Sequence, residues 1–365
     1  MGRSLRVAPN NLSKVKAALK RNGFPSQSVL AMEIGLSRAT VSSFLNGRPI
    51  DYLNFVELSE RLGYNWQEIA DRLEENFKQD AIQVNEADSA FIAGSPILHP
   101  RKFFGRQRQL RRLFDLIKRH PLQNAAVIGK RRSGKTSLLR YLEKITITPQ
   151  EELRFNQKSD WLPNPQMYRW IFVDFQDPRM ESKEHLLSHI LNSLHLPIPD
   201  SCTLENFMDV VGDTLSQPTV ILMDEVAVGL ERCPELDDSF WESLRSWTSH
   251  YAGGNLAFIL STPESPMDLA RHNGRSSPFF NIFGYTANIG AFSEAEAREL
   301  ISSSPIPFPE PDVEWILNES RCWPFLVQIL CRERLVSIED GETGDEWKRE
   351  GLEQIQNHRY CLEES

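Results

Sequence analysis

The segment from Gly129 to Thr136 combines residue types and spacing that suit phosphate binding. It reads Gly-Lys-Arg-Arg-Ser-Gly-Lys-Thr, so the second glycine is followed at once by a lysine and a hydroxyl. Glycines let the backbone curl until its N–H groups point at phosphate oxygens, and a helix that starts there adds partial positive charge. We expect an exposed Lys135 to reach the β- and γ-phosphates and the Thr136 hydroxyl to help hold Mg²⁺. The predicted phosphate-binding residues are Gly129, Lys130, Arg131, Arg132, Ser133, Gly134, Lys135, Thr136 and Ser137.

The flanks of this segment supply the elements that must position it. The apolar run Ala125–Ile128 precedes it, and a helical pattern over residues 137–142 follows it. A strand, a glycine loop and a helix N-terminus in this order form a nucleotide-binding P-loop. The alternative, a glycine turn with an exposed lysine, is disfavoured by both flanks.

A second apolar run, residues 220–223, ends in two acids. Asp224 is placed to orient Mg²⁺ or its waters. Glu225 could polarise the attacking water as a general base. Many buried strands end in an acid, so a solvated strand end is the alternative, and the upstream P-loop is what favours the catalytic interpretation.

A third apolar run, residues 256–260, ends in two hydroxyls, Ser261 and Thr262. We predict that a hydroxyl here contacts the γ-phosphate or the attacking water. A strand-end cap is the alternative.

The apolar runs alternate with helical patterns from Phe103 onward. Four of them are short and continuously apolar, which is typical of parallel strands buried on both faces. They span residues 125–128, 170–174, 220–223 and 256–260. Residues 293–336 contain helical patterns only, beginning at a capping-box-like sequence with Ser293 as the N-cap.

Several of these motifs resemble the AAA+-related ATPases of the STAND group (signal-transduction ATPases with numerous domains) and their prokaryotic AAA-like relatives. The resemblance covers about residues 94–336. It is carried by Phe104-Gly105-Arg106, the P-loop, Asp224-Glu225, Ser261/Thr262, residues 276–283 and residues 323–328.

This resemblance implies an α/β P-loop NTPase whose parallel sheet has the strand order 5-1-4-3-2, with a helical lid. It also implies nucleotide contacts for Phe104, Gly105, Arg106 and Pro324. The lid sequence Arg-Cys-Trp-Pro at residues 321–324 departs from the family because it lacks the usual glycines. Plain packing for Phe104, and a helix-start role for Pro324, are the alternatives.

The same resemblance implies an ATP-dependent homo-oligomer. Such ATPases often use an arginine from a neighbouring subunit to stabilise charge on the γ-phosphate. Arg271 and Arg275 are the candidates, and ordinary solvated arginines are the alternative.

Residues 10–71 predict a small helical domain with a different charge from the rest of the chain. The chain has a formal net charge of −9, yet residues 1–50 carry eight Lys/Arg against a single acid, Glu33. Residues 27–46 resemble a repressor-type (Cro/XRE-like) helix–turn–helix, with Gly35 in the turn and Ser37 as the N-cap of the second helix. The resemblance implies a recognition helix that binds duplex DNA. Arg38 is placed for base edges, and Lys14, Lys16, Lys20 and Arg48 are expected to hold phosphates. The predicted DNA-binding residues are Ser37, Arg38, Thr40, Ser42, Ser43, Asn46 and Arg48.

The composition bounds the remaining classes of protein. Hydrophobic residues make up 40% and charged residues 25% of the 365 residues, which is ordinary for a globular chain. No apolar run is long enough to cross a membrane, and five scattered cysteines favour a reducing cytoplasm over disulfides or a metal cluster. We predict five regions: a helix–turn–helix domain (1–75), a linker (76–100), the P-loop core (101–290), a lid (291–338) and an acidic tail (339–365).

Together these features predict a cytoplasmic ATPase switch that uses ATP and Mg²⁺ and binds DNA through its N-terminal domain. Its output would be transcriptional regulation, control of a mobile element or defence signalling. A nucleotide-gated scaffold whose N-terminal module binds protein is the second hypothesis. A metabolic P-loop kinase is the third, and it gives no role to the helix–turn–helix or the lid.

Overall fold

The fold is described by a computed structural model, which covers residues 4–24, 26–34, 36–64, 66–71, 90–212 and 215–362. The chain divides into two compact units. The first contains Met1–Phe91 together with Cys331–Gly351, and the second contains Ile92–Leu330 together with Leu352–Ser365. Gly35, predicted in the helix–turn–helix turn, lies outside the described residues.

The N-terminal part of the first unit is mainly helical. Its elements are β1 (Ser4–Leu5), α1 (Leu12–Arg21), α2 (Gln27–Glu33), α3 (Arg38–Leu45), β2 (Ile50–Asp51), α4 (Tyr52–Arg61) and α5 (Trp66–Ile69). The two short strands pair antiparallel. Val15, Phe44, Phe55 and Leu58 are fully buried in the shared core. Ser37 is the N-cap of α3, where its side chain accepts a hydrogen bond from the Thr40 N–H, as the sequence predicted.

A five-stranded sheet forms the centre of the second unit. Its strands are β3 (Ala125–Ile128), β4 (Arg169–Asp174), β5 (Thr219–Asp224), β6 (Leu256–Thr262) and β7 (Tyr285–Asn288). They are parallel and lie in the order β4-β5-β6-β3-β7. If these five strands are numbered one to five along the chain and listed from the β7 edge, their order is 5-1-4-3-2.

The first four strands coincide with the predicted apolar runs, but the fifth was not recognised. β7 lies at the edge of the sheet, next to β3 only. Within it only Ala287 is buried, so its sequence, Tyr-Thr-Ala-Asn, lacks the continuous apolar character of the inner strands.

Helices cover both faces of the sheet because alternate strand residues point to opposite sides. The α-helices that lie wholly within this unit are α6 (Gln107–Ile117), α7 (Lys135–Ile145), α8 (Lys183–Ser193), α9 (Leu204–Val211), α10 (Val226–Arg232), α11 (Asp238–Ser246), α12 (Pro266–His272), α13 (Glu294–Ile301) and α14 (Glu310–Ser320). Val220 and Leu222 pack with α6 and α7 on one face. Ile221 and Met223 pack with α8 to α12 on the other.

Helices α13 and α14 belong to the predicted lid. The capping box predicted at Ser293 is present, since Ser293 and Glu296 exchange hydrogen bonds with each other's backbone N–H. Two further helices follow, α15 (Pro324–Glu339) and α16 (Glu346–Gln356), and the division between the two units falls within each of them.

The units differ from the predicted regions in the linker, the lid and the tail, since residues 331–338 of the predicted lid belong to the first unit. Residues 92–100 of the predicted linker are part of the second unit, and residues 72–89 lie outside the described part of the chain. The predicted tail, residues 339–365, is divided between the units, because its first part packs with the N-terminal residues. Over the described residues, no helix is long and apolar enough to span a membrane.

Candidate nucleotide-binding site

The phosphate loop connects β3 to α7, and its two glycines are required by the local geometry. Gly134 precedes the first residue of α7 with φ +95°, a left-handed conformation that side chains disfavour. A Cβ on Gly129 would lie 2.4 Å from the Ile289 carbonyl oxygen and 2.6 Å from Ser133 Oγ. A side chain would clash at Gly129 and would strain the backbone at Gly134, so the two glycines let the loop curl tightly over the helix N-terminus.

Lys135, the first residue of α7, is buried, which corrects the expectation of an exposed lysine. Its Nζ donates to the Gly129 carbonyl at 3.0 Å and to the Lys130 carbonyl at 3.4 Å, and lies 3.8 Å from Glu225 Oε1. The side chain folds back beneath its own loop, so only 5% of the residue is exposed. Burial lowers the pKa of Lys135, while the charge of Glu225 opposes that shift.

Asp224 and Glu225 end β5, and Ser261 on β6 joins them. Ser261 Oγ donates to Asp224 Oδ1 and accepts a hydrogen bond of 3.1 Å from the Glu225 N–H. Glu225 has φ +53°, and its carboxylate faces the cavity described below, whereas Asp224 is 1% exposed. The serine thus fixes the backbone at which Glu225 turns away from the strand.

Ser261 and Thr262, predicted to contact the γ-phosphate or the attacking water, have protein partners for both hydroxyls in the described structure. Both residues are fully buried, and the Thr262 hydroxyl donates to the Glu264 carbonyl. Because β6 is an inner strand, its hydroxyls are enclosed beside β5. Ser261 is placed to position the two acids, and Thr262 caps the strand end.

A cavity of about 520 Å³ opens above the phosphate loop. It is lined by several residues that the sequence singled out: Phe104, Arg106, Arg131, Arg132, Ser133, Gly134, Lys135, Thr136, Ser137, Glu225 and Pro324. Sequence reasoning missed other lining residues, among them Ile92, Ile97, Gln176 and Tyr360. These come from segments far apart in the chain and carry no local motif.

Arg106 lies at the cavity but is turned toward backbone carbonyls. Its guanidinium donates to the carbonyls of Gly290, Ala291 and Ser133, and its N–H donates to Glu296 Oε1 at 2.6 Å. Burial lowers the pKa of Arg106 to about 10. The residue therefore ties the phosphate loop to the first turn of α13, a structural role that the sequence did not predict.

The other residues for which the resemblance implies nucleotide contacts show mixed placement. Phe104 is buried at the cavity wall, with the Arg154 guanidinium 3.8 Å from its ring centroid. Gly105 has φ +68°, and a Cβ there would lie 2.8 Å from the Glu296 carboxylate. Pro324 is the first residue of α15 and lines the cavity. Gly105 is thus required by the backbone, while Phe104 and Pro324 face the cavity.

Asp174 is a further acid at this edge of the sheet that sequence reasoning did not single out. It ends β4, and its strand register pairs it with Asp224 on β5. Burial raises the pKa of Asp174, and the charge of Asp224 adds to the shift. The signal was available, because an acid that ends an apolar run had already identified Asp224.

The site fits a nucleotide and a divalent cation by the chemistry of its donors. A cavity of this size can hold a small ligand, and the buried Ser133 Oγ in the loop has no hydrogen-bond partner in the described structure. No group of three or more acids, histidines or cysteines among the described residues could hold a metal alone. One or two carboxylates with nucleotide phosphates is the arrangement that Mg²⁺ prefers. Thr136 and Asp224 would hold it here.

The candidate arginines for a neighbouring subunit lie after β6. Arg271 is 70% exposed and pairs with Asp268 at 3.1 Å. Arg275 is partly buried, and its backbone N–H bonds to the Ala270 carbonyl. Neither residue lines the 520 Å³ cavity.

The predicted DNA-binding residues of α3 are less exposed than expected. Arg38 is only 8% exposed, and Ala39 and Ser42 are also buried. Thr40, Ser43, Asn46 and Arg48 are partly exposed. Arg38 is enclosed by carboxylates from residues 340–350 rather than pointing outward. Lys14, Lys16 and Lys20 on α1 are exposed.

Comparison with known proteins tests the fold. Neither a protein-family model nor a curated protein matches this chain. Among solved structures, the ORC2 protein of Aeropyrum pernix, in ADPNP and ADP complexes, matches with TM-score 0.50 and 12% identity over 67% of this chain and 66% of that one. The fold is that of an α/β P-loop NTPase.

Two further solved structures resemble the chain less closely in shape. A Walker-type ATPase of Pyrococcus abyssi matches with TM-score 0.48 and 14% identity, covering 73% of this chain and 76% of that one. The RuvB Holliday-junction branch-migration motor of Thermotoga maritima matches with TM-score 0.43 and 16% identity, covering 71% and 73%.

Ser261→Ala tests the bridging hydroxyl. We expect it to slow ATP hydrolysis about tenfold, which corresponds to about 1.4 kcal/mol, because the Glu225 N–H and Asp224 both lose their shared partner. ATP affinity should stay close to that of the wild type. Phosphate release and nucleotide titration measure the two effects, and Thr262→Val is the matched control. Equal rates in the two variants would show that the acids do not depend on Ser261.

Proposed function

We propose that this chain is an ATP-binding, ATP-hydrolysing switch of the AAA+/STAND type that binds DNA through its N-terminal helices. The observation that carries the ATPase part is the position of Lys135 Nζ, held between phosphate-loop carbonyls and 3.8 Å from Glu225 at a 520 Å³ cavity. A cation, a helix N-terminus and a carboxylate base meet there, which is what phosphoryl transfer to water needs.

Each residue then has a separate role. Lys135 and the loop N–H groups neutralise and orient the phosphates. Mg²⁺, when bound, would screen the phosphate charge, with Thr136 and Asp224 as its protein ligands. Glu225 takes a proton from the attacking water, and Ser261 fixes the direction in which Glu225 points.

We also propose that nucleotide binding moves the lid, and the contacts of Arg106 support this. Its guanidinium bonds at once to Ser133 in the phosphate loop and to Gly290 and Ala291 before α13. A phosphate that draws the loop inward would pull on both carbonyls of the lid connection. In this way ATP would favour one arrangement of core and lid, and hydrolysis would release it.

We also propose that ATP favours a homo-oligomer in which Arg271 or Arg275 reaches the nucleotide of a neighbouring subunit. Arg271 is exposed, and neither arginine lines the 520 Å³ cavity of its own subunit. Both observations support a contact with the nucleotide of a neighbouring subunit. Sizing the protein with ATP, with ADP and without nucleotide tests this step. A single unchanged size would contradict it.

The DNA-binding part rests on α2 and α3. Helices α2 and α3 follow each other closely in the sequence, and Ser37 is the N-cap of α3, which supports a repressor-type arrangement. The exposed Lys14, Lys16 and Lys20 offer phosphate contacts. The outcome would be regulation of transcription, of a mobile element or of a defence response.

Salt dependence tests DNA binding in the full chain. We expect the protein to retain duplex DNA at about 50 mM salt and to lose most of it by about 200 mM, because phosphate contacts release bound counterions. Filter retention or fluorescence anisotropy measures this. The Lys14→Ala, Lys16→Ala, Lys20→Ala triple variant should bind more weakly and with a shallower salt dependence. Absence of binding even at the lower salt would contradict this part of the proposal.

A nucleotide-gated scaffold is the second candidate, and one observation favours it. Arg38, the side chain best placed for a base edge, is occupied by protein carboxylates. A helical module whose key cation already binds acids could use the same surface for an acidic protein. Failure to bind DNA at low salt, with nucleotide binding intact, would support this candidate.

A further inference from the structure

Arg38 on α3 is surrounded by three carboxylates that lie far away in the sequence. Its Nη2 is 2.7 Å from Asp340 Oδ2, and its Nη1 is 2.8 Å from Glu342 Oε2 and 3.2 Å from Glu350 Oε2. Nη2 also contacts the second oxygen of Glu342 at 2.6 Å, so this pair is bidentate. The arginine is only 8% exposed. All four residues belong to the first unit.

Acids of the same stretch also bind Arg48, a second predicted DNA-binding residue, and Gln27 of α2. Arg48 Nη2 bonds to both carboxylate oxygens of Glu339, at 2.8 and 3.0 Å. Gln27 on α2 donates to Asp340 at 3.2 Å. A groove of about 700 Å³ in this unit is lined by Arg6, Lys16 and Arg48 together with Glu339 and Asp340.

We propose that the acidic segment, defined as residues 339–350, is an intramolecular mask that takes the place of DNA on Arg38 and Arg48. The inference rests on the proposed DNA binding and adds its regulation: duplex DNA competes with the chain's own carboxylates for the recognition helix α3. The described structure is then the masked state.

The chemistry of the groups favours such a competition. An arginine guanidinium presents a planar fork of donors that fits a carboxylate and a phosphate equally well. Three acids around one arginine leave an excess of negative charge beside α3. The mask therefore acts twice, by occupying Arg38 and by repelling the phosphate backbone that would approach it.

Chain connectivity links the mask to the nucleotide. The acidic segment follows Pro324, Phe325 and Gln328 in the sequence and precedes Tyr360, and all four of these residues line the nucleotide cavity. Any shift of these flanks on ATP binding is transmitted along the chain to the acids from both ends. ATP would thereby weaken the mask, and DNA would tighten ATP binding by the same factor.

The test neutralises the mask in the full chain without changing its shape. The variant is Asp340→Asn, Glu342→Gln, Glu350→Gln. The matched control is Glu294→Gln, Glu310→Gln, Glu314→Gln, which removes the three carboxylates that pair with Arg298 and so changes the net charge equally. Binding to one duplex is titrated for both variants and the wild type at several salt concentrations, with and without ATP.

We expect the mask variant to bind DNA about tenfold more tightly than the wild type without ATP, and the control to match the wild type. For the mask variant, the slope of log affinity against log salt concentration should be steeper by about one unit than for the wild type. When the wild type binds DNA, its freed carboxylates take up cations, which offsets part of the counterion release. The added substitution Arg38→Ala should remove the gain. ATP should tighten DNA binding of the wild type more than that of the mask variant.

Each contrary result has a separate meaning. Equal affinity and equal salt slope in the mask variant and the wild type would overturn the mask while leaving DNA binding in place. No binding by any variant at about 50 mM salt would overturn the proposed DNA binding and the mask with it. A thermal melt checks that the mask variant folds, and Glu342→Gln alone, at the most exposed of the three acids, should show the same direction of change.

Discussion

Lys135→Ala should lower ATP affinity by about 100-fold, because the phosphates lose the buried cation at the first residue of α7. A hydrogen bond to a charged group contributes about 1.5–3 kcal/mol, and 1.4 kcal/mol is tenfold in affinity. Lys135 Nζ donates to two carbonyls and lies 3.8 Å from Glu225 Oε1, and it can exchange these contacts for phosphate oxygens when the loop adjusts. Calorimetric or fluorescence titration with ATP and Mg²⁺ measures the loss.

The stability of the nucleotide-free protein supplies a second readout for Lys135. Burial lowers its folded-state pKa below the ordinary value of 10.5, so the unfolded chain binds the proton more tightly. The cost of burying the charge is therefore fully present below the folded pKa and is relieved as pH rises toward 10.5. We expect Lys135→Ala to melt at the same temperature as the wild type or higher at neutral pH.

Lys144→Ala is the control, since Lys144 lies in the last turn of the same helix, α7. It should leave ATP affinity unchanged. An unchanged affinity in Lys135→Ala as well would remove the P-loop assignment. A variant that loses both affinity and a cooperative melt would point instead to a structural role for the lysine.

The parts of the fold that sequence could predict are those in which one residue pattern has one physical cause. The inner strands are apolar throughout because helices cover both faces of the sheet. Each inner strand could therefore be predicted from a continuous apolar run in the sequence. β7 was not, because an edge strand has to bury only Ala287. The N-caps Ser37 and Ser293 were predictable because a cap is a local hydrogen bond.

The site was predicted in outline and missed in its contacts for a related reason. The loop glycines and Lys135 follow a short motif, but the burial of Lys135 depends on how the loop folds over it. Ser261 was singled out for a phosphate, whereas its partners are two acids on the neighbouring strand. No local pattern could pair Arg38 with Asp340, Glu342 and Glu350, because tertiary structure alone brings them together.

Glu225→Gln should retain ATP binding and lower the rate of hydrolysis by about 10²–10⁴-fold, the usual loss when a positioned base is removed. Glutamine has the shape of glutamate but no basic oxygen, so the φ +53° turn and the Ser261 hydrogen bond to the backbone can persist. ATP affinity should stay the same or rise, since Lys135 loses a competing carboxylate at 3.8 Å. Phosphate release under saturating ATP, beside a binding titration, separates the two effects.

The Glu225→Gln experiment needs a control of equal charge, and it also tests the proposed switch. Glu231→Gln, on the exposed side of α10, changes the charge equally and should hydrolyse ATP at the wild-type rate. Because Glu225→Gln would hold ATP without consuming it, the variant should accumulate the ATP-favoured state, and sizing should show more of any larger assembly than the wild type does. Hydrolysis at the wild-type rate would exclude Glu225 as the base, and the neighbouring strand-end acid Asp174 would become the next residue to test.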